Sequence, residues 1–308
     1  MRRSQQGAVR DLPFERDFRR WCNDKGIDWR SARYARRAAG GEAWGHRFVP
    51  PGEAAGSVLL VHGGGNDALF ALTGLIGDLA TRGLEIFSFD VDGHGRGSST
   101  VLSAVPAREC VAAALEAWPD RPPGRPLHAI GISLGGSILL HSLPRLDATI
   151  SSATLISAPL RIELSADAIR RELGLPLLAT VWRERNRYGL TGLIPSFGPF
   201  RRGAYPLRLA EPPGPGAFGY VEVLNRILES LDLERAARET RVPVLLVYGG
   251  RDLLVPADQG RRLNELLPAS ELLMLDRETH LSTPLAPPAT ERLFAWIDRH
   301  PATNPAAP

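Results

Sequence analysis

The sequence predicts an α/β fold in which a mostly parallel, twisted sheet is flanked by helices and carries an inserted helical cap. Two observations lead to this prediction. Between residues 57 and 157, apolar runs of strand length alternate with stretches of apolar residues at helical spacing. Such alternation is typical of right-handed strand–helix–strand units. After an interruption at 160–232, the alternation resumes at Val242 and continues to about residue 299.

Nearly continuous apolar runs predict the individual strands, because a central parallel strand is buried on both faces. We expect such strands at 57–61, 84–90, 127–132, 149–157, 242–248 and 271–275, and an edge strand at 44–50. Apolar residues at helical spacing predict the helices. These are expected near 69–79, after residue 133, and at 106–118, 163–173, 176–188, 258–267 and 288–299.

The predicted domain organisation has four parts. Residues 1–43 form an arginine-rich helical extension, in which Phe14, Phe18 and Trp21 recur on one helical face. We interpret that face as packing on the core, with an interaction arm as the alternative. The core comprises residues 44–159 and 233–300, the cap comprises 160–232, and 301–308 is expected to be a disordered tail.

Composition excludes several classes of protein. The 308 residues are 44% hydrophobic and 23% charged, which is typical of an ordinary globular core. The net charge is only +3, and no arginine cluster is interleaved with aromatic residues, so no nucleic-acid partner is expected. Cys22 and Cys110 form no CxxC pair. With no apolar leader and no membrane-length apolar run, we expect a cytoplasmic protein without a membrane span.

The clearest chemical signal is the sequence Gly131-Ile132-Ser133-Leu134-Gly135, which follows a buried strand and opens a helix. A serine on such a turn, with its backbone strained towards positive φ, presents its hydroxyl away from the sheet. The residues two before and two after it crowd their neighbours and must be small. The N-terminus of the following helix favours a developing oxyanion. The motif alone also fits a glycine-rich turn, so its context decides.

That context comes from three residues at the ends of predicted strands: Ser133, Asp252 and His280, in this chain order. Because ligands bind at the carboxyl ends of strands in open parallel sheets, a shared sheet would bring the three together. Ser133 is the candidate nucleophile, His280 the candidate base, and Asp252 the acid that fixes the imidazole tautomer. Taken singly, Asp252 also fits a turn residue and His280 a loop histidine, but the combination favours catalysis.

Three residues are rivals for these roles. His94 is the main rival base, and Asp90 and Asp92 are rival acids. Their loop precedes the strand of the predicted nucleophile, and no acid is placed after His94. We therefore expect none of the three to be catalytic.

Five stretches carry a family resemblance: Val61–Gly65, Asp92–Ser98, Gly131–Gly136, Gly249–Pro256 and Thr279–Leu281. Together they resemble the α/β-hydrolase superfamily, specifically its monoacylglycerol-lipase-like and serine-aminopeptidase-like branch. This resemblance implies an α/β-hydrolase fold and an oxyanion hole formed by the backbone N–H groups of Gly64 and Leu134. The second stretch departs from the family's GHGxS segment, since Gly97 stands between Arg96 and Ser98.

Several other chemistries do not fit the motifs. Serine rather than aspartate at position 133 argues against a haloalkane-dehalogenase mechanism. No GxxxxGK and no complete GxGxxG is present, which argues against a nucleotide site. His62, His94 and His280 lack the spacing of a metal motif such as HExxH. We therefore expect neither a cofactor nor a bound metal.

The expected function is that of a cofactor-free serine hydrolase, which cleaves an ester or thioester of a small, largely apolar acyl substrate through an acyl-enzyme. Aromatic and leucine side chains of the predicted cap favour an apolar pocket, although most of them are expected to pack on the core. An acyltransferase or biosynthetic thioesterase would use the same triad. Peptidase and carbon–carbon bond hydrolase activities share the fold. A catalytically idle hydrolase fold that acts as a binding protein is a further alternative, and the oligomeric state is left open.

Overall fold

The computed structural model describes residues 13–35, 42–65, 67–95, 101–118, 121, 124–146, 149–163, 165, 168, 172, 207–212 and 216–301. Most of the predicted cap, including most of its two predicted helices, and nearly all of the predicted tail lie outside these residues. Within the described part, no helix is both long enough and apolar enough to cross a membrane.

The described residues form eight strands and the helices around them. The strands are β1 (Asp28–Ala35), β2 (Glu42–Val49), β3 (Gly56–Val61), β4 (Leu84–Phe89), β5 (Leu127–Ile132), β6 (Ser152–Ile156), β7 (Val244–Gly249) and β8 (Ser270–Leu275). The helices are α1 (Pro13–Asp24), α2 (Thr73–Thr81), α3 (Ala104–Ala117), α4 (Leu134–Ser142), α5 (Gly216–Ser230), α6 (Leu233–Glu239), α7 (Ala257–Leu266) and α8 (Pro287–Arg299). One 3₁₀ turn, Leu143–Arg145, follows α4, and another, Thr283–Leu285, precedes α8.

All eight strands belong to one sheet, in the order β1-β2-β4-β3-β5-β6-β7-β8. β2 pairs antiparallel with both β1 and β4, and the strands from β4 to β8 are parallel. Every residue of β3 to β7 is buried, which explains the continuous apolar runs in their sequences. The predicted mostly parallel sheet flanked by helices is therefore confirmed.

The sheet separates two apolar clusters, and successive strand residues alternate between them. In β3, Leu59 and Val61 belong to the cluster that also contains residues of α3 to α7. Val58 and Leu60 belong to the opposite cluster, which contains residues of α1, α2 and α8. Helices thus cover both faces, and the carboxyl ends of the parallel strands are left as the edge where loops converge.

The N-terminal part of the chain adds a strand that the sequence did not predict. Phe14 and Phe18 are fully buried, so the predicted packing of the α1 face on the core is confirmed. After α1, however, β1 pairs along the whole of β2. The prediction that 44–50 is an edge strand is wrong, because β1 covers it. In β1, buried Trp29 stacks on Phe48. The polar residues between Trp29 and Tyr34 interrupt the apolar run by which the other strands were predicted.

Hydrogen bonds join the start of the predicted cap segment to α5, at the end of the same segment, and to α7 of the core. At its start, the backbone N–H and C=O of Ile162 bond to the side-chain amide of Asn225 in α5, at 2.8 and 3.0 Å. The side-chain oxygen of Gln259 accepts the N–H groups of Leu160 and Arg161 at 2.8 and 3.0 Å. At its end, α5 contributes apolar side chains to one of the two core clusters. These bonds hold the first residues of the segment beside α5 and α7.

Candidate active site

Ser133 lies on a strained turn between β5 and α4. Its φ is 51° and its ψ is −126°, a region that residues other than glycine rarely adopt. The surrounding chain holds this conformation, since the Ser133 N–H donates to Ile156 O of the neighbouring strand at 2.8 Å. The sequence prediction of a serine with positive φ at the start of a helix is confirmed.

The two glycines around Ser133 are required by close backbone contacts. A Cβ on Gly131 would lie 2.6 Å from Gly136 Cα, and a Cβ on Gly135 would lie 2.3 Å from His62 O. The absence of a side chain at Gly135 therefore lets the start of α4 approach the loop after β3. That approach brings the loop containing Gly63 and Gly64 next to the serine.

His280 joins the other two candidate catalytic residues into a hydrogen-bonded chain. Its Nε2 lies 2.9 Å from Ser133 Oγ, and its Nδ1 lies 2.8 Å from Asp252 Oδ2. Ser133 follows β5, Asp252 follows β7 and His280 follows β8, so the carboxyl edge of the sheet brings them together. A neutral imidazole donates a hydrogen bond from one nitrogen and accepts one at the other. The ring can therefore donate from Nδ1 to the carboxylate while Nε2 is free to accept the serine proton.

The Asp252 carboxylate is buried and fixed in orientation. It is 3% exposed, and its Oδ1 accepts the N–H groups of Leu254 and Val255 at 2.9 and 2.8 Å. Oδ2 is therefore left to face the histidine ring. An ionised carboxylate only accepts hydrogen bonds, so this arrangement selects the tautomer with a proton on His280 Nδ1.

The pKa of His280 is raised above its ordinary value of 6.5 by the balance of opposing effects. Burial, the largest single effect, disfavours the imidazolium and lowers the pKa. The hydrogen bond and charge of Asp252 raise it, and the charge of Glu172 raises it further. The two carboxylates thus favour the imidazolium form of the ring.

The predicted oxyanion residues lie beside the serine. A Cβ on Gly63 would lie 3.2 Å from Ser133 Cβ, and one on Gly64 would lie 3.5 Å from Leu134 Cδ2. Leu134 is the first residue of α4, where a backbone N–H has no acceptor within the helix. Gly64 therefore lies next to Leu134, the residue after Ser133, and the role of their N–H groups as an oxyanion hole stays a prediction.

Buried His62 fixes the backbone of this loop. Its Nε2 accepts the N–H of Val91 at 2.9 Å, so its proton lies on Nδ1, which donates to Gly63 O at 2.8 Å. Burial and the nearby charge of His94 lower the pKa of His62, and the bond to Gly63 raises it; the net result is a pKa of about 3. The ring stays neutral at physiological pH, and it holds the peptide group that carries the Gly64 N–H.

We expect His62→Leu to lower kcat roughly 100-fold, because it frees the Gly63–Gly64 peptide, whose N–H is one of the two predicted donors of the oxyanion hole. It also leaves the Val91 N–H and the Gly63 carbonyl unpaired, which costs about 1–3 kcal/mol of stability each. Steady-state kinetics and thermal melting measure the two effects. His300 follows the last residue of α8, and its ring packs on Trp296. His300→Leu is the matched control, and we expect it to keep the wild-type kcat. A normal kcat in His62→Leu would contradict the positioning role.

Two of the three rival residues, His94 and Asp90, bond to backbone groups outside the proposed triad. His94 Nδ1 bonds to the backbone carbonyl of Asp92 at 2.9 Å, and burial lowers its pKa to about 4. Asp90 accepts the N–H of Ala68 at 3.0 Å and lies against Gly95. The ring of His94 packs edge-on against His62, with centroids 5.1 Å apart. These contacts support the loops beneath the site, while Ser98 of the same predicted motif lies outside the described residues.

Glu172 is a residue of the site that sequence reasoning missed. Its carboxylate is 2% exposed and accepts the backbone N–H groups of His280 and Leu281 at 2.9 and 3.0 Å. Glu172 follows no predicted strand and belongs to no motif, so its sequence carries no signal of this contact. In the described ranges, no group of three or more histidine, cysteine, aspartate or glutamate side chains is arranged to hold a metal ion.

Comparison with solved structures supports the same fold. The naproxen esterase (carboxylesterase NP) of Bacillus subtilis aligns over 92% of this chain and 97% of its own, with a TM-score of 0.63 and 19% identity. A 2-hydroxy-6-oxo-6-phenylhexa-2,4-dienoate hydrolase from Rhodococcus sp. strain RHA1 aligns over 89% and 99%, with a TM-score of 0.60 and 17% identity. At these identities the likeness concerns the fold alone.

Comparison of sequences identifies the family. A pimeloyl-[acyl-carrier protein] methyl ester esterase of Vibrio cholerae serotype O1 is 43% identical over 54 residues. This match spans only 18% of the present chain and 21% of that relative. The alpha/beta hydrolase family model, in contrast, matches residues 58–292, most of the chain. The specific branch named from the motifs stays a prediction, but the chain belongs to the alpha/beta hydrolase family.

Proposed function

We propose that this protein hydrolyses an ester or thioester of a largely apolar acyl group, with Ser133, His280 and Asp252 as catalytic triad. The observation that carries the proposal is the chain of hydrogen bonds from Asp252 Oδ2 through both nitrogens of His280 to Ser133 Oγ, at 2.8 and 2.9 Å. A nucleophile, a base and an orienting acid in this geometry support a serine-hydrolase mechanism, whatever the fold.

In the first half-reaction, Ser133 Oγ attacks the carbonyl carbon of the substrate while its proton moves to His280 Nε2. Asp252 stabilises the imidazolium, and the N–H groups of Gly64 and Leu134 receive the negative charge on the carbonyl oxygen. His280 then gives the proton to the departing alcohol or thiol, which leaves the acyl group on Ser133. In the second half, water takes the place of the serine and the same groups release the acid.

Two considerations support this substrate class. The short match to a pimeloyl-[acyl-carrier protein] methyl ester esterase concerns a protein named for ester cleavage. The sequence of the predicted cap is rich in aromatic and leucine residues, which suit an apolar acyl chain. Fold likeness by itself does not choose among the reactions of a superfamily, so a substrate series is the decisive test.

We expect a p-nitrophenyl ester series from acetate to long acyl chains, with acyl-thioesters alongside, to show a clear optimum of kcat/KM in chain length. A bounded apolar pocket gains binding energy with each buried methylene until the chain no longer fits. Adding alcohols or amines as competing acceptors shows whether acyl transfer exceeds hydrolysis. Failure of a fluorophosphonate to label Ser133, together with no turnover of any ester or thioester, would contradict the proposed function and favour a binding role.

A further inference from the structure

We propose that Glu172 is a positioning residue for the catalytic base: its carboxylate clamps the backbone that carries His280 and places a second negative charge beside the imidazole. This inference rests on the proposed function, because it gives Glu172 a part in the general-base step. Nothing in the motifs of the chain assigns a role to this residue.

The clamp consists of two separate hydrogen bonds to consecutive peptide groups. Oε1 of Glu172 accepts the N–H of His280 at 2.9 Å, and Oε2 accepts the N–H of Leu281 at 3.0 Å. Both oxygens of one carboxylate are thus used, and the side chain is 2% exposed. Hydrogen bonds to a charged acceptor away from water are stronger than neutral ones, so the clamp strongly constrains these two residues.

The rest of the loop is held by bonds on either side of this pair. Arg251 N–H donates to Glu278 O at 2.9 Å, and Thr279 N–H donates to Ser282 Oγ at 2.8 Å. At the histidine itself, the acceptor for the backbone is the Glu172 carboxylate. Any displacement of this backbone moves the ring, which must keep distances of 2.8 and 2.9 Å to its two partners.

Glu172 also acts on the ring by its charge. Burial lowers the pKa of His280, whereas the bond and charge of Asp252, and the charge of Glu172, raise it to a net value above 6.5. The other charged residues of the two surrounding loops are Arg251, Asp276, Arg277 and Glu278, of which the first three are exposed and screened by solvent. Among the described residues, Asp252 and Glu172 are the charged groups that raise the pKa of this imidazole.

The clamp connects two segments that are far apart in the chain. It lies in the segment inserted between β6 and α5, 108 residues before His280. The bonds therefore tie the inserted segment directly to the loop of the base. Asp252 bonds to the ring of His280, whereas Glu172 bonds to the backbone that carries the ring.

Three substitutions separate charge from geometry. Glu172→Gln removes the charge and one of the two acceptors. Glu172→Asp keeps the charge but is one methylene too short to reach both N–H groups at their present distances. Glu163→Gln, nine residues earlier, makes the same chemical change on a side chain that is exposed to solvent, and it is the matched control.

The measurement is the rate of Ser133 labelling by a fluorophosphonate as a function of pH between about 5 and 8, where histidine titrates. This readout needs no knowledge of the natural substrate. His280 must be neutral to accept the serine proton, so labelling falls as pH drops through the pKa of the ring. Loss of a nearby negative charge lowers that pKa, which moves the acid limb of the profile to lower pH.

We expect Glu172→Gln to lower the plateau rate roughly tenfold and to shift the acid limb to lower pH, since two peptide N–H groups lose their charged acceptor. Glu172→Asp should lower the plateau by a similar factor but keep the limb where the wild type has it. Glu163→Gln should match the wild type in both. Thermal melting of each variant verifies that the labelled protein is folded.

Two results would overturn the proposal. One is that Glu172→Gln shows the same plateau rate of labelling and the same acid limb as the wild type. The other is an equal loss in Glu172→Gln and Glu172→Asp with the limb unmoved in both, which would make Glu172 only an anchor of the inserted segment. Failure of the proposed function is distinguishable, because then the wild type itself would not be labelled at any pH.

Discussion

Replacing Ser133 with alanine is expected to lower kcat by about 10⁴- to 10⁶-fold while the fold is retained. The Ser133 hydroxyl oxygen is the proposed nucleophile, and His280 Nε2 lies 2.9 Å from it. Without this hydroxyl, no group is left to form the acyl-enzyme. Alanine keeps the small volume at the turn, and its backbone meets the same strain as serine at φ 51°. Ester hydrolysis and thermal melting measure the two parts of the prediction.

A matched control distinguishes loss of the nucleophile from a general effect of removing a serine. Ser270 begins β8, at the opposite end of the strand from the site, and its hydroxyl bonds to the side chain of Asn264 at 3.0 Å. Ser270→Ala should therefore keep the wild-type kcat. Residual esterase activity in Ser133→Ala equal to that of the wild type would refute the proposed mechanism, whatever the behaviour of the control.

Replacing Asp252 with asparagine is expected to lower kcat by roughly 10³- to 10⁴-fold with little change in KM. The Asn side-chain oxygen can still accept the N–H groups of Leu254 and Val255, so the turn survives. Its NH₂ group would then face His280 Nδ1 and donate to it. This reverses the tautomer, places the ring proton on Nε2, and leaves no acceptor for the proton of Ser133. The lost charge also removes support for the imidazolium.

Two further aspartate variants control for this result. Asp258 lies six residues after Asp252 and is exposed in the first turn of α7. We expect Asp258→Asn to keep the wild-type kcat. Asp90→Asn tests the rival acid: its carboxylate bonds to the backbone N–H of Ala68, so we expect any effect to appear in thermal stability first. A large loss of kcat in Asp90→Asn, with Asp252→Asn silent, would transfer the role of acid to Asp90.

The sequence predicted the parts of this protein whose physical requirements are local. The central strands are buried on both faces, so each shows as an apolar run that can be read without knowing its neighbours. The strained turn at Ser133 needs small residues on either side, and this need is visible as a fixed glycine spacing. Ser133, Asp252 and His280 could be paired in advance because a parallel sheet gathers the ends of its strands at one edge.

What depends on contacts between distant segments could not be predicted. β1 is half polar and lies at the edge of the sheet, so its strand character appears only when it pairs with β2. Glu172 is an ordinary glutamate in sequence. Only the tertiary structure places its carboxylate against the backbone of His280 and Leu281, 108 and 109 positions away. The sequence thus determined the fold and the three candidate catalytic residues. The folded chain decided what bonds to the backbone of His280, because hydrogen bonds to backbone N–H groups leave no mark on residue type.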